Sequence, residues 1–329
     1  MNDLAARVLQ AAGRLQPHVK ETPLEYSLPL SQDTGCEVYL KLENLQHTGS
    51  FKARGALNKM LALDPAQAGR GVVAASTGNH GAAVAFAGRK LGIKPLIFVP
   101  DNASPAKLAA IRRLGAEIRV HGHDSVITEI FAREYARENS LIYISPYNDE
   151  QVIAGQGTIG VEMARQHDHL EAVFVALGGG GMIAGIAASL KAVWPGVRVI
   201  GCSPRNSCVM IASVKAGRIV ELESLPTLSD GTAGGVEADA ITLPLCRTLV
   251  DDYVTVTEEE IGATLLWFIE THHQLIEGAA AVALGGFLQQ AHAYRGRPVA
   301  VVICGGNISL ATLRQLLCGA APGARLLAR

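Results

Sequence analysis

The sequence predicts an α/β protein in two lobes, each an open, mostly parallel sheet flanked by helices. Short apolar runs rich in Val, Ile and Ala alternate with amphipathic or small-residue stretches along most of the chain. Those runs are apolar at nearly every position, as strands covered on both faces by helices must be. The alternation pauses near residue 150 and then restarts, which divides it into two blocks.

In the first block, Ala53 to Leu63 has good helix formers on an amphipathic pattern, with Ser50 placed as its N-cap. Gly71 to Ala75 reads as a strand and Gly81 to Leu91 as a small-residue helix. Pro95 to Pro100 and Glu117 to His121 are further strands, followed by helices over Pro105 to Leu114 and Asp124 to Asn139. Leu141 to Ile144 is a fourth strand, and Ser145 to Glu150 a turn-forming segment. The second block reads as a helix over Val152 to Gln166, a buried strand over Ala172 to Leu177, and a helix over Met182 to Trp194. A strand over Val197 to Gly201 comes next. Helices over Glu258 to Ile276 and Ala279 to Tyr294 precede a last core strand at Pro298 to Ile303. Residues 203–250 carry several turn formers and no clear period.

With 329 residues, 49% of them hydrophobic, the chain can bury a large core. A formal net charge of −1 provides no basic field for nucleic acid or an anionic membrane surface, so a small-molecule partner is expected. The longest apolar runs suit strands and are too short to span a bilayer. The first residues lack the basic start and apolar core of a secretory signal. Six cysteines form no Cys-x-x-Cys pair, so free thiols in a cytoplasmic, reducing compartment are expected. His121/His123 and His272/His273 have neither a neighbouring thiol pair nor a His-Glu-x-x-His helix, and no metal site is expected there.

Four clusters carry chemistry. In His47 to Ala56, Lys52 falls in the first helical turn, where exposed N–H groups disfavour an ammonium and favour a nucleophilic amine. An ordinary solvated lysine fits the same residues. Ala75 to Gly81, at a strand-to-helix junction, offers two hydroxyls, an amide and successive N–H groups to a carboxylate or phosphate. A capped polar loop is the plain alternative. Gly178 to Gly181 followed by Met182 lies between a buried strand and a helix, so bare backbone N–H groups can converge on an anion. A dinucleotide loop fails there, because Ile183 stands where glycine is needed and Cys202 and Ser203 stand where an acid is needed. The fourth cluster, Ile303 to Ile308, ends the last core strand. Cys304 there is either turned toward a ligand or simply buried.

Taken together, the clusters resemble the serine/threonine dehydratase family of pyridoxal-phosphate enzymes, which share fold type II with the tryptophan synthase β-subunit. The similarity runs from Thr22-Pro-Leu and Lys41-Leu-Glu-Asn through Val152 to Thr158, Asp230 to Ala233 and Ile276-Glu277-Gly to Cys304-Gly-Gly-Asn. It implies a large cofactor-binding lobe from residues 1–52 and 147–329, and a small mobile lobe from 53–146. It further implies that Lys52 carries pyridoxal 5′-phosphate as a Schiff base, with Phe51 beside the ring. Gly178, Gly179, Gly180, Gly181 and Met182 would hold the phosphate, Asn79 the ring hydroxyl, and Cys304 would face the ring nitrogen. Ser76, Thr77, Gly78, Asn79 and His80 would frame the substrate carboxylate, and Tyr147 would lie near the substrate side chain.

The activity implied is that of an ammonia-lyase. It would take water from a 3-hydroxy amino acid (serine, threonine or a bulkier analogue such as 3-phenylserine) and leave a 2-oxo acid and ammonia. Lys52 would serve as the base. Some relatives hold a divalent cation through carboxylates after the strand matching Val197 to Gly201. Here Cys202 to Val209 contains no acid, so that metal site is expected to be absent. Serine racemases carry a serine where this chain has Thr77. Racemisation, β-replacement and a cofactor-carrying binding protein remain as alternatives, and a homodimer is the default assembly.

Overall fold

The computed structural model describes residues 2–101, 103, 105–123 and 125–319. The chain opens a larger sheet with β1 (Leu24–Tyr26) and β2 (Glu37–Leu42). It then leaves to build a smaller sheet from β3 (Val72–Ala75), β4 (Pro95–Val99), β5 (Glu117–Val120) and β6 (Ile142–Tyr143). It returns with β7 (Ala172–Ala176), β8 (Arg198–Pro204), β9 (Asp252–Val256) and β10 (Pro298–Ile303). The strand orders are β1-β2-β10-β7-β8-β9 and β5-β4-β3-β6. Every pairing is parallel except β1 with β2. Parallel neighbours need crossovers, and the helices that make them cover the sheet faces.

In the larger sheet every residue of β7 is buried, as are Val299 to Ile303 of β10. Helix Gly278–Gln290 packs on β7, β8 and β10. Helices Glu150–Gln166 and Gly181–Val193 pack closely together, which two glycines permit. A Cβ on Gly185 would stand 2.4 Å from the Ile153 carbonyl oxygen, and one on Gly157 would stand 2.7 Å from that of Gly185. The smaller sheet buries Val72, Ala74, Ile97 and Val99 with Leu57, Met60 and Val84 from helices Lys52–Leu61 and Asn79–Leu91. Val73 and Phe98 instead pack with Ala132 and Ala136 of helix Ser125–Glu138.

Helix Lys52–Leu61 is tied to the larger sheet by a buried ion cluster. The Arg54 guanidinium reaches Glu43 at 2.8 and 2.7 Å and a Glu162 oxygen at 2.8 Å, and Lys41 reaches Glu162 at 2.6 Å. Two cations and two anions balance, and the crossed hydrogen bonds offset the desolvation that a lone charge would suffer there.

The first-block strands occur as the pattern predicts. β8 runs past Gly201 to Pro204, and helix Glu258–His272 stops short of Ile276 because His273 turns left-handed at φ 53°. The expected helix starting at Asp124 runs over Ser125–Glu138, with Asp124 itself outside the described residues. The region without a clear period holds helices Val209–Ala216 and Thr242–Leu249, each of eight residues. Such short helices offer too few turns for a period to show. Among the described residues no helix is long and apolar enough to cross a membrane.

Candidate active site

Several strand ends and helix starts picked out by the sequence are linked across the two sheets, Asn79 to Glu277 and Asn307, and Lys52 to Pro146. β10 delivers Cys304 to Asn307. The Cys304 carbonyl accepts the Phe51 N–H at 3.0 Å, and Ser50 forms a β-bridge with Gly305. β7 delivers the glycine loop, and β3 delivers Ser76 to Gly78 at the start of helix Asn79–Leu91.

Lys52 is the first residue of its helix and is half-buried. Its Nζ donates to the Pro146 carbonyl at 2.8 Å and stands 5.1 Å from the centre of the Phe51 ring. Burial lowers its amine from 10.5 to about 8, while Glu129, Cys304 and Glu277 pull the other way. The expected Ser50 cap is not made. Ser50 is extended (φ −162°), but its hydroxyl is buried without a hydrogen-bond partner and no side chain caps the helix. The bridge to Gly305 holds Ser50 instead.

Helix Gly181–Val193 also starts without a side-chain cap, from Gly180 at φ +87°. Its first N–H groups lack intrahelical partners and carry the positive end of the helix dipole. A Cβ on Gly179 would stand 2.4 Å from the Tyr147 ring, so that ring lies directly on the loop. The Tyr147 hydroxyl accepts the Glu237 N–H at 2.9 Å, which fixes it as a packed wall of the cleft. Met182 is buried in the core of the larger sheet and offers the site only backbone.

Asn79 is engaged at both ends of its amide. Nδ2 donates to both Glu277 oxygens at 2.9 Å, and Oδ1 accepts from Asn307 Nδ2 at 2.7 Å. A bond to a ring hydroxyl must therefore be shared with, or exchanged for, one of these. His80 is buried, and its Nε2 lies 2.8 Å from the Ile144 carbonyl, an acceptor, so Nε2 carries the hydrogen. Burial, reinforced by Lys52, lowers its pKa to about 3. The ring is neutral, and its remaining nitrogen can only accept. A carboxylate framed by His80 would therefore meet its backbone N–H in the first helical turn, the ring being committed to Ile144. Ser76, Thr77 and Gly78 are partly exposed in the turn ahead of the helix, with the Ser76 hydroxyl accepting the Gly78 N–H at 3.1 Å.

Cys304 is buried, and burial keeps its thiol protonated. Behind it stands a carboxylate to which sequence reasoning gave no role. Glu277 lies 4.0 Å from the Cys304 sulfur and against Gly305, and burial raises its pKa. Its motif was visible, but its position is not a local property. Glu129 and Glu237 had no sequence signal at all. Burial, with Glu237 next, raises Glu129 to about 7, and Arg133 pairs with Glu237.

An anionic, aromatic aldehyde suits this donor set. The uncapped loop presents N–H groups for a phosphate, Lys52 an amine for an aldehyde, and Cys304 with Glu277 a polar end for a ring nitrogen. A two-sheet α/β fold with this donor set fits a cofactor-carrying enzyme. The model of the pyridoxal-phosphate dependent enzymes matches residues 15–305, and the chain belongs to that family. An L-threonine ammonia-lyase of Thermotoga maritima is 40% identical over 312 residues, 94% of this chain and 77% of the relative. Processed threonine deaminase isoform 2 from Solanum lycopersicum superposes with a TM-score of 0.91 at 32% identity, covering 98% of this chain and 94% of that one. Maize serine racemase does so at 0.88 and 31%, over 95% and 96%.

Proposed function

We propose that this pyridoxal-phosphate enzyme is an ammonia-lyase that removes water from a 3-hydroxy amino acid, with L-threonine and L-serine as leading substrates. The observation that carries this reading is the Lys52 amine, poised at about 8 and held at the Pro146 carbonyl, one residue before the Tyr147 ring that lies on the glycine loop. The names of the threonine ammonia-lyase and threonine deaminase relatives support the choice of substrate. When bound, pyridoxal phosphate draws electrons away from the substrate Cα.

Lys52 would hold the cofactor covalently through its amine, and its Nζ is the base that takes the Cα proton. Gly178 to Met182 would hold the phosphate through backbone N–H groups. Ser76, Thr77, Gly78, Asn79 and the backbone of His80 orient the substrate carboxylate at the start of their helix. Cys304, a neutral thiol, would face the ring nitrogen, with Phe51 beside the ring and Tyr147 bounding the side-chain pocket. The β-hydroxyl takes up a proton, balancing the one removed from Cα, and leaves as water; the enamine product tautomerises to an imine, which water hydrolyses to a 2-oxo acid and ammonia. Residues 53–146 act as a small mobile lobe that closes on the lobe of 1–52 and 147–329 and excludes water. We also read the enzyme as a cytoplasmic homodimer, a view supported by its six free thiols and by the prevalence of twofold assemblies.

A panel of 3-hydroxy amino acids scored for 2-oxo acid, ammonia and chirality of recovered substrate tests the proposal. Threonine and serine should be deaminated, and Lys52→Ala should lose at least ~100-fold in turnover. Full turnover by Lys52→Ala, or inversion of substrate with no 2-oxo acid, would overturn it.

A further inference from the structure

Asn307 stands just beyond β10, is exposed, and ties together three segments of the cleft. Its Nδ2 donates to the Thr48 carbonyl at 2.8 Å and to Asn79 Oδ1 at 2.7 Å, and its N–H donates to Glu277 at 3.3 Å.

The first tie restrains a strained turn. Thr48 has φ 61°, a left-handed conformation that a β-branched residue adopts only when its surroundings impose it. Gly49 follows at φ 73°, and its carbonyl accepts the Gly306 N–H at 2.9 Å. A Cβ on Gly49 would stand 2.7 Å from Asn307 Oδ1, so the turn and the amide are packed tightly together. This turn leads directly into Lys52.

The second tie settles an ambiguity. A carboxamide presents an acceptor at one end and a donor at the other, and neighbours decide which way round it sits. The donor on Asn307 holds the Asn79 oxygen toward itself and leaves the Asn79 NH₂ for the Glu277 carboxylate.

We propose that Asn307 is a positioning residue for the reaction, holding the turn ahead of Lys52 and setting the orientation in which Asn79 meets Glu277 and the cofactor ring. This rests on the reading that Lys52 and Asn79 contact pyridoxal phosphate. Asn307→Asp replaces the donor with an acceptor. Asn79 then turns over to donate to it and sets its oxygen against Glu277, which pushes that carboxyl toward its protonated form.

The test reconstitutes wild type, Asn307→Ala, Asn307→Asp and Asn79→Ala with pyridoxal phosphate. It reads cofactor release and the pH titration of the yellow absorbance band, with folding checked by far-UV circular dichroism. The two Asn307 variants should fold, release cofactor about tenfold faster, and shift the titration in the same way as Asn79→Ala. Should Asn307→Ala alone fail to fold, adding Thr48→Gly removes the strain and allows the same measurement. Wild-type titration and release in the Asn307 variants, with Asn79→Ala displaced, would overturn the proposal and leave the site reading intact. An unaltered Asn79→Ala would remove the site reading and the proposal together.

Discussion

Helices that open on the cleft begin differently from those that only carry the scaffold. Lys52–Leu61, Asn79–Leu91, Gly181–Val193 and Gly278–Gln290 all start without a side-chain cap. Away from the cleft floor, Ser27, Asp64, Asp149 and Thr257 each cap a helix, and Asp64 and Thr257 form full capping boxes. A cap satisfies a helix's first N–H groups and so removes them from use by a ligand. Two short helices, Val209–Ala216 and Thr242–Leu249, are uncapped as well. Convergence on one cleft, more than the missing cap, is therefore what makes a binding site.

Three substitutions or titrations sharpen this contrast. The largest effect belongs to the glycine loop. Gly179→Val would drive a branched side chain into the Tyr147 ring, where even a Cβ stands 2.4 Å away. Overpacking of that kind should weaken cofactor binding by roughly 10- to 100-fold, read by equilibrium titration of the absorbance. Wild-type affinity would mean the loop is not the phosphate cradle.

A smaller effect comes from pH. With the Lys52 amine lowered to about 8, its neutral, reactive form grows about tenfold per pH unit up to that point and then levels off. Stopped-flow mixing of apo enzyme with pyridoxal phosphate should show the break near 8. A rate still climbing toward 10.5 would mean that burial does not tune this lysine.

The smallest effect lies on the scaffold side. Thr257→Ala removes one capping box and should cost about 1 kcal/mol of stability by denaturant titration. Cofactor absorbance and affinity should stay unchanged. A matching loss of cofactor would erase the distinction between the two kinds of helix start.

Much of the site could be read from short stretches of chain. Lys52, Gly178 to Gly181 and Cys304 each lie at a strand end or helix start that local pattern locates. Ser50 was expected to cap a helix because a hydroxyl stands just before it. The bridge to Gly305 holds it instead. Glu277, Glu129 and Glu237 depend on partners far along the chain, and no window around any of them reveals that. β1, β2 and β9 were unassigned for a related reason: short or alternating strands become recognisable only beside the neighbours they pair with.

The sequence by itself determined the alternation that makes parallel sheets, the bare loop at the end of β7 and the lysine at the start of a helix. Side-chain size, backbone freedom and helix polarity are properties of short segments. Tertiary structure alone decided the lowered pKa of that lysine, the neutrality of His80, the carboxylate behind Cys304 and the orientation of Asn79. Each of these depends on burial or on a hydrogen-bond partner from another segment, and neither exists until the chain has folded.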